Sequence, residues 1–137
     1  MNASSQEAAK AAHLQMIQGV ITRMATNSFA LKTLSVALVA AFLAYLGARP
    51  HPSAVVLIGI GGSLVVFWLL DAQYLRLERL YRKLYDDIRQ QPSTTYSMDT
   101  RAYQKAVYST WKIARSWSVL WLYAALVAAS IALFLNR

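Results

Sequence analysis

Apolar residues gather into three long runs, and the polar stretches between them still carry an apolar residue at every third or fourth position. The runs are "TLSVALVAAFLAYLGA" (residues 33–48), "AVVLIGIGGSLVVFWLL" (54–70) and "SVLWLYAALVAASIALFL" (118–135). None contains Asp, Glu, Lys, Arg or His, and each is just long enough to cross a hydrocarbon core of ~30 Å. They predict three transmembrane helices, at 31–48, 54–70 and 118–135, the first entered through Lys32, whose stem snorkels to the interface. A signal peptide is not expected, because the first run starts about thirty residues in and no mature domain follows it.

The second run passes into "DAQYLRLERLYRKLYDDIR" with neither Pro nor Gly before Arg89. One helix from residue 54 to about 90 is therefore expected, roughly 54 Å long at ~1.5 Å per residue. Phe67, Leu70, Tyr74, Leu77, Tyr81, Leu84 and Ile88 alternate spacings of three and four along it, which predicts a coiled-coil seam of just over three heptads. Gln91 and Pro92 stop the helix and "PSTTYS" reads as a turn. A new helix then begins with Asp99 as N-cap and runs unbroken into the third span. It carries Tyr103, Val107, Trp111 and Ala114 on one stripe, so residues 71–117 form a helical hairpin. Residues 1–28 predict an amphipathic helix, with Ser4 and Glu7 as a capping box and Leu14, Ile17, Ile21 and Met24 as its apolar stripe. The "RPHPS" connector at 49–53 is a tight non-helical turn.

The fold class expected is an all-α membrane protein in one membrane domain, residues 1–137, with three spans, an N-terminal amphipathic helix and a hairpin extending spans two and three. Its stripes pack either within one protomer's stalk or between protomers. Wide aromatic residues at Tyr74 and Tyr81 favour an assembly larger than a dimer.

Composition agrees: 57% of the residues are hydrophobic and only 15% charged, outside the usual globular balance. The formal charge of +8 is distributed unevenly. Residues 71–117 carry nine Lys or Arg against five acids, and the arm through Lys32 three against one, whereas 49–53 carries a single Arg. The positive-inside rule then places the N-terminus and the hairpin in the cytoplasm and the C-terminus outside. Trp68, Trp117 and Trp121 fall near the cytoplasmic headgroup layer, and Lys32, Arg76, Lys112 and Arg115 join them as lipid-facing groups. Membrane lipid explains these basic residues more simply than nucleic acid, which is not expected as a partner.

The conspicuous residues point away from catalysis. There are no cysteines, which excludes disulfides and thiolate chemistry. His13 and His51 lie on opposite sides of the membrane and read as surface or loop residues. "GIGGS" resembles part of a phosphate loop, but it sits mid-span without a preceding strand. Gly59, Gly62 and Ser63 instead form a small-residue face for close helix approach. Asp71 ends the second apolar run. It pairs with Lys32, Arg76 or a neighbouring chain, or else it forms a pore-mouth ring that favours cations. Asp86 and Asp87 are adjacent and point about 100° apart, so they read as solvated charge. Neither enzymatic activity nor a cofactor or metal is expected.

"HLQMIQGVITRMATNSFALK" (residues 13–32) and "FWLLDAQYLRLERLYRKLYDDIR" (67–89) resemble small bacterial membrane proteins of the RipA-like and SLATT type. The resemblance covers residues 13–90 and implies an oligomer, ring-like and octameric in the RipA-like branch. It also implies a pore-forming effector of bacterial conflict systems such as antiphage defence. The third span departs from the two-span plan of that group, and no ligand-binding residue carries over. Two functions are therefore expected in competition. One is a homo-oligomeric inner-membrane pore or membrane-perturbing effector. The other is a non-conducting helical scaffold that docks a cytoplasmic protein partner or organises lipid, through Arg79, Arg82, Lys83, Lys105 and Lys112.

Overall fold

The first two apolar runs do not end where their polar neighbours begin, because nothing in either junction breaks a helix. In the computed structural model, which describes residues 3–48, 53–93 and 95–136, helix α1 runs Ala3–Ala48 and helix α2 runs Ala54–Gln90. At ~1.5 Å per residue these are about 69 and 56 Å long. Both are far longer than a ~30 Å hydrocarbon core, so each continues as a polar stalk. The amphipathic arm and the first span are thus one helix. Ser4 lies inside it rather than ahead of it, so the Ser4–Glu7 capping box does not form. Ser53 caps α2, its hydroxyl accepting from the Val55 N–H at 3.3 Å. At the other end Gln91 is extended with ψ 147°, the conformation that the following Pro92 imposes. Most of the 49–53 connector, with His51, lies outside the described residues, as do Thr94 and Arg137.

Three helices are long and apolar enough to cross a membrane, and the third is α4, Trp117–Leu135. Among the described residues there is no strand. The return from the tip of α2 to α4 departs from expectation. It is irregular from residue 95 to 100, where Tyr96 takes a left-handed φ of 56°, forms a 3-10 turn at Arg101–Tyr103, then a short helix α3 at Thr110–Ala114. No helix runs unbroken from Asp99. The breaks fall at Ser109 and Ser116, whose ψ angles of 156° and 149° lie outside the helical range just before α3 and α4, and serine is among the weaker helix formers. Asp99 accepts from the Arg101 N–H at 2.9 Å and so steadies the 3-10 turn instead of capping a long helix. Of the expected stripe, Val107 and Ala114 are buried while Trp111 is 65% exposed.

Packing is organised in three apolar clusters. Val39, Phe42 and Leu46 of α1 meet Ile60 and Leu64 of α2 between the spans. Ile17 and Ile21 meet Leu84 and Ile88 near the stalk tip. Ala72 and Leu80 on another face of α2 meet Val107, Ile113, Ala114 and Val119 of the return segment and α4. The expected seam on α2 is therefore divided. Leu84, Ile88 and Tyr81 pack towards α1, Phe67 and Leu77 towards the return segment, Tyr74 is half-buried, and Leu70 is 43% exposed.

Polar contacts secure the stalk tip. Lys10 donates to the carbonyls of Arg89 and Gln91 at 2.8 and 2.6 Å, neutralising the end of α2, where helix carbonyls lack partners. His13 is fully buried, with Nε2 3.1 Å from the Ser97 carbonyl and its ring beside Tyr96. It is a packing group of the interior rather than a surface residue. Tyr103 donates to Asp87 at 2.6 Å, and that bond pushes its phenol from the ordinary 10.0 up to about 12. The stabilisation from this contact is complete below pH 10.0 and is lost as pH rises towards about 12.

Truncation separates the two halves of the expected seam. Leu84→Ala removes a buried side chain and lowers stability by about 2–5 kcal/mol. Leu70→Ala, on an exposed face, changes it by less than about 1 kcal/mol. Unfolding in detergent micelles followed by helical circular dichroism measures both.

Candidate functional site

Where the apolar half of α2 gives way to its polar half, the helix presents Asp71 to the interior. Its position repeats the heptad spacing of Leu64 and Glu78, so the geometry that buries Leu64 against α1 buries the carboxylate as well. Asp71 is fully buried. Its Oδ1 accepts from Lys32 Nζ at 2.7 Å and from Ser28 Oγ at 2.5 Å, and Oδ2 lies 2.6 Å from the same ammonium. Lys32 also donates to Ser28 at 2.9 Å. Ser28 and Lys32 are one helical turn apart on α1, so a single face of that helix delivers both donors to one carboxylate. The Lys32 side chain remains 28% exposed, which leaves its ammonium on the rim of the pocket. From α4, the buried hydroxyl of Tyr123 faces Asp71 and Ser35 without a hydrogen bond of ordinary geometry. One carboxylate thus joins all three long helices.

Burying a charge is unfavourable unless it is paired and hydrogen-bonded. Lys32 and Ser28 meet both conditions. The alternative in which Asp71 stands at a pore mouth is not what this protomer presents: its carboxylate points into the α1–α2 seam. Ser28 and Tyr123 were not singled out from sequence. The one signal for Ser28 was a polar residue interrupting the Ile17, Ile21, Met24 stripe.

The other expected groups lie elsewhere. Gly59 and Gly62 are exposed, and a side-chain carbon added at either meets no atom within 4 Å. Ser63 returns its hydroxyl to the Gly59 carbonyl at 2.9 Å. That small-residue face therefore serves no contact within the protomer. Arg76 is half-buried, with its Nε lacking a hydrogen bond. Trp117 and Trp121 are exposed, with ring centroids 4.7 Å apart and planes tilted by 56°, and Trp68 donates to the Ala114 carbonyl at 2.9 Å. Lys112 lies over the Tyr108 ring at 4.0 Å, and Arg115 is exposed beside it.

Farther along the stalk, Arg79, Arg82 and Lys83 meet residues 106–108 around a cleft of ≈ 260 Å³. Glu78 engages Arg82 at 2.7 Å, and Asp86 is the one acid lining the cleft. The cleft is basic on balance and open to water.

Comparison with protein families, with curated proteins and with solved structures finds no match for this chain.

Lys32→Met strands a fully buried carboxylate and costs about 3–5 kcal/mol. Asp71→Asn costs less, because the freed ammonium reaches water along its own stem. The double variant Lys32→Met/Asp71→Asn costs less than the two single changes added together. A double-mutant cycle on unfolding in bicelles measures the coupling; additive costs would show that the pair does not act as a unit.

Proposed function

We propose that the protein is a bacterial inner-membrane protein that acts as a homo-oligomeric, non-conducting platform, docking an acidic cytoplasmic partner on its stalk. The observation that carries this reading is the basic cleft, where Arg79, Arg82 and Lys83 meet only Glu78, already paired with Arg82, and Asp86, which leaves one positive charge in surplus. The excess of Lys and Arg between spans two and three, set against one Arg in 49–53, supports a cytoplasmic stalk and N-terminus with the C-terminus outside. Basic residues this far from the apolar boundary are poorly placed for headgroups. Arg79 lies about 16 Å along the helix from Trp68, beyond the ~8 Å screening length at physiological salt.

A platform fits the spans better than a pore does. Their exposed side chains include Val36, Leu43, Val55, Ile58, Val65 and Val66, and an aqueous path walled by such groups dewets. The Lys32–Asp71 pair is held inside the protomer and offers no charged ring. The unpartnered Gly59 and Gly62 face gives a second copy close access, which supports self-association. The same face favours the second reading, a pore-forming defence effector, because its small residues and the Ser63 hydroxyl are the least bulky surface from which to build a lumen.

Charge reversal at Arg79→Glu/Lys83→Glu abolishes recovery of a stoichiometric partner from native membranes and leaves the subunit number unchanged. Gly62→Leu lowers that number, read by native mass spectrometry from nanodiscs. Conductance in planar bilayers, or toxicity on induction, would overturn the platform in favour of the pore.

A further inference from the structure

Between α2 and α4, on the side turned away from α1, two cavities of ≈ 400 and ≈ 150 Å³ share Leu64, Val127 and Ile131. They form one apolar groove that opens sideways from the spans. Along α4 it runs from Leu120 to Ile131, about 16 Å at ~1.5 Å per residue. That is one half of a ~30 Å hydrocarbon core, measured inwards from the stalk side.

The mouth of this groove is built differently from its floor. Trp68 lines it and donates Nε1 to the Ala114 carbonyl at 2.9 Å, so the neighbouring Arg115 is fixed at the rim. Trp68 also meets Trp111 edge to face at 6.2 Å, and Lys112 follows directly in the chain. Lys112 and Arg115 are both exposed above the groove rather than in its lining; the Lys112 ammonium lies over the Tyr108 ring at 4.0 Å, and among the described residues neither cation is in an ion pair with an acid. An apolar slot one leaflet deep, rimmed by indoles, with two cations beyond its mouth that lack an acid partner, matches one molecule in both length and charge. We propose that the groove is a binding site for a single anionic phospholipid of the stalk-side leaflet. One acyl chain lies along Leu64, Val127 and Ile131, and its phosphate sits at Arg115 and Lys112. A helix from a second copy fits less well: it would cross both leaflets, and an apolar helix makes no use of the cations.

The test is retention of lipid by the full chain released from nanodiscs of phosphatidylglycerol and phosphatidylcholine, read by native mass spectrometry. One phosphatidylglycerol per protomer is expected to survive. Its preference over phosphatidylcholine should fall about fivefold for each cation removed in Arg115→Gln and Lys112→Gln. Ala128→Phe fills the groove from an exposed position and abolishes retention of either lipid, while the headgroup variants lose selectivity alone. Ala124→Leu is a milder filling variant should Ala128→Phe fail to fold. Equal retention of the two lipids, or retention indifferent to both filling variants, overturns the proposal. So does disulfide cross-linking between copies through Ala128→Cys in this cysteine-free chain, which would assign the groove to a second protomer.

Discussion

The ion pair between Lys32 and Asp71 sets the register of the molecule. It lies at the level where hydrocarbon-facing side chains give way to charged ones, inside the contact between two helices that are otherwise joined by aliphatic packing. Such packing alone tolerates sliding, since one Leu replaces another at each heptad. A slip of seven residues would bring Asp71 beside Ile21 or Ser35 of α1 and leave its charge buried without an ammonium. That penalty makes a single alignment of α1 on α2 the favoured one, in the way that one buried polar residue selects register in a coiled coil. Ser28 completes the shell around the carboxylate, and Tyr123 brings α4 against it.

With α1 and α2 aligned, the rest of the stalk follows. Ile17 and Ile21 reach Leu84 and Ile88, and Lys10 reaches the carbonyls at the end of α2. The other face of α2 is then free to receive Ile113, Ala114 and Val119, which places Trp68 against Ala114 and shapes the groove between α2 and α4. The basic residues of the cleft and of the groove mouth thereby follow one another along the stalk, with the Lys112 ammonium over the ring of Tyr108 at the cleft's edge. Arg79, Arg82 and Lys83 face water well along the stalk, and Lys112 and Arg115 lie near the apolar boundary.

Much of this architecture was legible in the residues themselves. The three spans and the unbroken α2 follow from long apolar runs and from the absence of Pro and Gly between residues 64 and 89. The seam was harder to locate because it was sought among apolar residues. The buried line of α2 passes through Leu64, Asp71 and Glu78, and two of those three are acids that a hydrophobic pattern omits. Leu70 and Leu77, one position earlier, took their place in the expected stripe. The return segment departs from a continuous helix for another reason. It contains no Pro after residue 92, but Ser109 and Ser116 hold ψ at 156° and 149°, outside the helical range, a break that periodicity does not register. His13 looked like a surface residue because its partner, the Ser97 carbonyl, is backbone and lies 84 positions away.

The central claim is that spans and stalk form one body, clasped at the polar boundary rather than hinged there. Amide hydrogen exchange of the protein in nanodiscs, resolved by residue, tests this most directly. The account predicts that amides of residues 28–35 and 68–75 are as protected as those at mid-span, with no weak point between membrane and stalk. Rapid exchange confined to those two stretches, with protection on either side, would contradict it and would place a hinge where the clasp is drawn.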